Sequence, residues 1–162
     1  MWRENVKTIR NELIDSFHDA GEDKLNEKPA SGGWSIAQVV LHLAGAETRF
    51  MELALRSASE SMAKGEKVDL TVFDDPAHKM IAPIDPPDVH KTCDELLKAL
   101  HTSRQLTERL ESSYTIEELE QKSMDHHRFG IMPIEQVFEL LGRHEKRHIR
   151  QIHRIKEQIT RL

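Results

Sequence analysis

The chain has 162 residues, with 23 Lys and Arg against 28 Asp and Glu, ten His, one Cys and a formal net charge of −5. That length suits one domain spanning residues 1–162, able to bury a core without disulfides. Interspersed charges and only five Phe, two Trp and one Tyr exclude a basic stripe or stacking platform for nucleic acid, Cys93 has no internal disulfide partner, and no apolar run reaches membrane-spanning length. The start Met1-Trp2-Arg3-Glu4 lacks an apolar signal core, so a soluble, cytoplasmic protein is expected.

Taken in order, the apolar residues Val6, Ile9, Leu13 and Phe17 fall three or four apart. They predict a first helix starting at Trp2 and closing near Gly21, a residue suited to a C-terminal cap. Residues 22–33 contain Pro29, Ser31, Gly32 and Gly33 and read as a connecting loop. No phosphate-binding loop is present, because the Lys-Ser or Lys-Thr that must follow its glycines is missing. Ser35 with Gln38 three residues on forms a capping box for a second helix, and Trp34 is placed to pack back on its first turns. The inward stripe of this helix runs Val39, His42, Leu43, Ala46, Phe50 and Leu53. A histidine thus stands where the pattern expects the core, either as a hydrogen-bonded core residue or as a ligand.

Residues 58–88 are polar and then proline-rich, with Pro76, Pro83, Pro86 and Pro87. The segment is too long for a hairpin between adjacent helices, so a crossover along the bundle is expected. Within it Val68, Leu70, Val72 and Phe73 suit a short extended piece or a lid, and His78 and His90 read as surface residues. A third helix is expected over about 89–111, with Cys93, Leu96, Leu97, Leu100 and Leu110 inward. Cys93 reads as a small buried hydrophobe rather than a reactive thiol, and His101 borders the stripe as a spare ligand. Residues 112–132 then form a connection with a short helical turn at Thr115–Glu120. His126 and His127 either overhang a site or decorate this loop.

The fourth helix is expected from Pro133, at a first helical position, to Leu162. Its stripe of Ile134, Val137, Phe138, Leu141, Ile152, Ile155 and Ile159 is interrupted by His144 and His148. Four residues of helix turn about 400°, so both imidazoles project from one face and can chelate one ion. Ten histidines make one such pair unsurprising by chance, and the alternative is two core histidines bonded to polar neighbours. His144-Glu145-x-x-His148 fits the zinc-protease motif literally, but Gln151 and Arg154 stand where its extended form needs Gly and His. Too little chain follows to supply a later glutamate ligand. A di-iron carboxylate site is also excluded, because only this helix carries Glu-x-x-His. Glu145 lies about 100° from its neighbours around the helix, placed either to assist proton transfer or to face solvent. Gly45 and Gly142 would allow close approach of helices two and four, or are tolerated surface glycines. His42 can face the histidine pair, and three imidazoles leave an open coordination position, the arrangement of a catalytic site.

Trp34-Ser35-Ile36 leading into Val40-Leu41-His42-Leu43, followed far downstream by Phe129-Gly130, Pro133-Ile134-Glu135-Gln136 and His144-x-x-x-His148-x-x-Gln151-Ile152, resembles the DinB/YfiT-like superfamily. The resemblance implies an all-α four-helix bundle with a long crossover between helices two and three. It also implies a homodimer and a divalent metal held by His42, His144 and His148. It further implies a metal-dependent transferase or isomerase using a low-molecular-weight thiol such as bacillithiol or mycothiol, or a metal-dependent hydrolase. The expected function is therefore a divalent-metal enzyme, zinc or nickel, that activates a small thiol or water toward a small-molecule substrate. The alternative is a non-catalytic, stress-related metal-binding bundle. A fourth protein ligand would mark the structural case, and three ligands with an open position would mark the chemical one.

Overall fold

A computed structural model describes residues 1–60 and 63–160, so Leu162, the expected end of the last helix, lies outside the described residues. The first apolar spacing becomes α1 (Trp2–Phe17), but its C-cap is His18. Gly21 instead stands at the N-cap of a short α2 (Glu22–Asn26), which buries Leu25 within the stretch expected to be loop. The capping box of α3 (Ile36–Ala58) is present: Gln38 N–H donates to Ser35 Oγ at 3.2 Å, and Ser35 N–H donates to Gln38 Oε1 at 3.1 Å. A second box, Thr92 with Glu95, starts α4 (Cys93–Ser113), a few residues later than the expected start. Thr115 and Glu118 cap α5 (Ile116–Glu120) in the same way.

The long crossover between α3 and α4 is observed, and among its described residues the regular element is a 3-10 turn, Thr71–Asp74, rather than an extended piece. Residues 123–133 differ from expectation. They form a hairpin of β1 (Ser123–His126) and β2 (Gly130–Pro133), with Ser123 opposite Pro133 and His126 opposite Gly130. Its three-residue loop closes at Gly130, where φ is +73°, a backbone region that favours glycine. Pro133 therefore ends a strand. A 3-10 turn, Ile134–Gln136, follows it, and the helix proper is α6 (Val137–Thr160).

The all-α expectation stands, with four long helices and one small hairpin among the described residues. α1 packs on α6, α3 packs on α4, and α3 also meets α6. Gly142 serves the α1–α6 pair rather than the α3–α6 pair, because a Cβ there would lie 2.8 Å from the Trp2 ring and 3.1 Å from Ile9. A Cβ at Gly45 would meet only its own helix neighbour Arg49, at 3.3 Å, so no close helix approach depends on it.

The bundle interior is two apolar clusters separated by a polar layer. On one side lie Ile9, Leu43, Leu100 and Ile149, and on the other Val6, Met51, Leu110 and Leu141. Between them each long helix contributes buried polar side chains: Arg10 from α1, Glu47 from α3, Ser103 and Thr107 from α4, and Glu145 from α6. Arg104 of α4 reaches in from the edge. Arg10 donates to Glu47 at 2.7 Å and to both oxygens of Glu145 at 3.2 and 3.0 Å. Arg104 donates to the same two carboxylates at 2.8 and 3.2 Å, and Ser103 and Thr107 hydroxyls complete Glu47. Burial works against ionisation of Glu47, but the two guanidiniums and hydroxyl donors overcome it and hold the carboxyl below its ordinary range. Glu145 is raised, because its burial and the charge of Glu47 outweigh the same two guanidiniums. Removing one member strands its partners without water. Glu47→Ala is expected to cost about 3–5 kcal/mol in urea unfolding, whereas a loss below about 1 kcal/mol would show that the layer is not coupled.

Candidate metal centre

His144 and His148 stand one turn apart on α6, as their spacing requires, and the α3–α6 contact brings His42 against them. One ring nitrogen from each of the three lies within 4.8 Å of the others. The ring centroids are 5.0 Å apart for His42 and His144, 4.7 Å for His42 and His148, and 4.6 Å for His144 and His148. His42 and His144 are each only 7 % exposed, and their Nε2 atoms approach to 3.2 Å. Among the described residues neither Nδ1 atom has a hydrogen-bond partner. His148 Nδ1 lies 2.6 Å from Gln151 Oε1, an acceptor, so that nitrogen carries the proton and Nε2 keeps the free lone pair.

Burial keeps these rings neutral. It lowers His42 to about 4, with a further contribution from Arg49. His148 falls to about 3 through burial and His42, against the opposing bond to Gln151. His144 lies well below the ordinary value for burial first, then because a proton on it would be repelled by any proton on His148 or His42 and by Arg49 and Arg147. Neutral imidazoles are the form a metal accepts, and a lone proton can satisfy only one pair of facing nitrogens. The donor set therefore fits a borderline divalent ion with nitrogen preference.

A cavity of about 640 Å³ opens over the three rings. Trp34 lies against His42 at 5.0 Å between centroids, and Phe50 and Phe73 flank His144 at 5.6 and 5.7 Å. Phe73 comes from the crossover, which is tied down by Arg147 and Arg150. Arg147 Nη1 donates to the carbonyls of Phe73 at 3.3 Å and Asp75 at 2.9 Å, Arg147 Nη2 donates to that of His78, and Arg150 Nη2 donates to Phe73 at 3.1 Å. Arg147 is lowered, by burial first and then by the like charges of Arg150 and Arg154, against which Asp75 acts.

The remaining candidates are not ligands of this cluster. His126, placed in a connecting loop by periodicity, is a buried residue of β1 that lines the cavity wall and stacks on exposed His127 at 4.4 Å. Neither joins the three-histidine group. His78, His90 and His101 are exposed. Cys93 is half-buried outside the cavity, its thiol raised by burial and by Asp94. Glu145 faces neither solvent nor the histidines but is locked in the polar layer. Periodicity missed Gln151 as the group orienting His148, although its i, i+3 spacing was visible. It also missed the cationic cavity wall, for which Arg147, Arg150 and Arg154, at helical spacing beside the histidines, were the available signal.

The chain belongs to the DinB superfamily: the model of that superfamily matches residues 6–152. A curated relative, the uncharacterized protein YuaE of Bacillus subtilis (strain 168), is 27 % identical over 155 residues, covering 94 % of this chain and 95 % of the relative. A solved structure, YfiT from Bacillus subtilis, superposes with a TM-score of 0.66 at 17 % identity, covering 98 % of this chain and 86 % of that one. YfiT is described as a probable metal-dependent hydrolase with an unusual four-helix bundle topology. At that identity the likeness is one of fold. No helix among the described residues is long and apolar enough to cross a membrane.

The four lowered histidines give a signed pH dependence. Unfolded imidazoles titrate near 6.5, whereas His42 and His126 do so at about 4 and His148 at about 3 in the folded chain. As pH falls below about 6.5 the unfolded state binds protons first, so stability complete above that value is progressively lost. Chelator-treated protein is expected to show a falling urea midpoint between pH 7 and 5, with a shallower fall in His144→Leu. A flat wild-type midpoint would contradict the burial of these rings as neutral groups.

Proposed function

We propose that this chain is a divalent-metal-dependent enzyme in which His42, His144 and His148 hold the ion and the overlying cavity admits a small-molecule substrate. The observation that carries this reading is the convergence of three neutral imidazoles beneath an open cavity with no fourth protein ligand in the described cluster. A zinc- or nickel-like ion, when bound, supplies Lewis acidity that lowers the pKa of a coordinated thiol or water. With a thiol the product is an S-conjugate of an electrophile, and with water a hydrolysed ester, amide or related bond. The description of YfiT supports the water branch, and the thiol branch rests on the family resemblance.

The chain's own contribution is preorganisation. Gln151 fixes the His148 tautomer and ring plane, the polar layer fixes the rotation of α6, and Trp34, Phe50 and Phe73 pack against the His42 and His144 rings. Glu145 is already engaged by Arg10 and Arg104, so it is not assigned as a base.

Elemental analysis of untagged protein is expected to find about one ion per chain in the wild type. Near-complete loss is expected in His42→Ala, His144→Ala and His148→Ala, with the helical circular dichroism signal kept. Metal retained in all three variants would remove the site. Gln151→Leu is expected to weaken metal affinity roughly 10–100-fold, and unchanged affinity would remove its orienting role. Small thiols offered with a model electrophile, and activated esters offered with water, then separate the two branches.

A further inference from the structure

The chain is net acidic, yet every charged side chain lining the cavity over the histidines is cationic. Arg49, Lys79, Arg128, Arg147, Arg150 and Arg154 all line it, and none of the 28 Asp and Glu residues does. The close arginine–carboxylate pairs of the described residues engage Arg3, Arg10, Arg104 and Arg143 and leave these six out. The metal ligands supply no negative charge either, since all three are imidazoles. A dication held there would add to a positive wall that has no close carboxylate partner, which is costly to desolvate unless the guest brings the opposite charge.

A second feature points the same way. His126 is 4 % exposed, and its Nδ1 accepts the Arg128 backbone N–H at 3.1 Å, so the ring proton resides on Nε2. Among the described residues that buried Nε2–H has no acceptor. Apart from the histidines and Gln151, the rest of the cavity wall is largely apolar, with Trp34, Phe50, Leu53, Phe73 and Met80 among its residues.

Building on the metal-dependent reading, we propose that the substrate class of this cavity is an amphiphilic organic anion. An apolar body lies against Trp34, Phe50 and Phe73, and an oxyanion group (carboxylate, phosphate or sulfonate) is received by the cationic wall and the His126 Nε2–H. The oxyanion compensates the wall electrostatically and supplies the acceptor that His126 lacks. A neutral guest of the same shape would leave both demands unmet.

Naphthalene-2-sulfonate and its neutral counterpart methyl 2-naphthyl sulfone, both weak metal ligands, test this by calorimetric titration of the full chain at low salt. The sulfonate is expected to bind about ten-fold tighter or more, with the preference weakening as salt rises. Arg49→Met/Arg154→Met, which spares the two arginines anchoring the crossover, is expected to cut the preference to about three-fold or less while neutral-sulfone binding persists. His126→Phe is expected to weaken sulfonate binding selectively.

The preference must also survive in chelator-treated protein and in His144→Ala. Its loss there would assign the anion to the ion alone and overturn the role of the wall. Equal binding of the two probes by the wild type, or a preference untouched by the arginine and His126 variants, would overturn the proposal. Metal content measured on the same samples separates the two readings. Anion preference without metal supports the cavity assignment and removes the proposed chemistry, whereas metal without anion preference removes the cavity assignment alone.

Discussion

Two arginines and two carboxylates, buried together at mid-height of the bundle, set the relative position of every long helix. A lone buried charge costs several kcal/mol, so each side chain must find its partners, and those partners come from α1, α3, α4 and α6 at once. Apolar contacts above and below are less selective, because neighbouring ridges and grooves offer more than one acceptable register. The polar layer singles out one. Glu47 is completed by two hydroxyls of α4 as well as by both guanidiniums, which makes α3 the best-determined helix of the four.

That register is what makes the histidine cluster possible. Glu145 is fixed by Arg10 and Arg104 on one side of α6, and His144 and His148 are thereby directed toward α3, where His42 stands just over one turn before Glu47. The cavity-facing histidines and the core-facing carboxylates are thus interleaved along the same two helices without sharing a side chain. The acidic residue between the two histidines, which in a metalloprotease motif would act on water, here serves architecture.

Much of this was legible in one dimension. Helical periodicity located the four long helices, and the presence of His42, His144 and His148 in positions reserved for aliphatic residues marked them as a group. The capping box at Ser35 could be read directly. Short elements were legible only in part: the turn at Thr115–Glu120 was anticipated and is α5, but two four-residue strands and the five-residue α2 offer too few turns of pattern, and Pro133 suits a helix start as well as a strand end. Glu145 was ambiguous because its partners are contributed by other helices, and burial of a charge is never visible from its own segment. The glycines were misleading for a related reason, since Gly142 makes room for the Trp2 ring rather than for α3.

The crossover has a further property. Its carbonyls at Phe73, Asp75 and His78 are anchored by Arg147 and Arg150, guanidiniums that also belong to the cavity wall. One pair of side chains therefore answers to two customers, the backbone of a surface segment and whatever occupies the interior. Demands on a shared donor are thermodynamically linked, and linkage is reciprocal: a guest that recruits these N–H groups loosens the segment by the same free energy with which a docked segment opposes the guest. Phe73, which shields His144, rides on that balance.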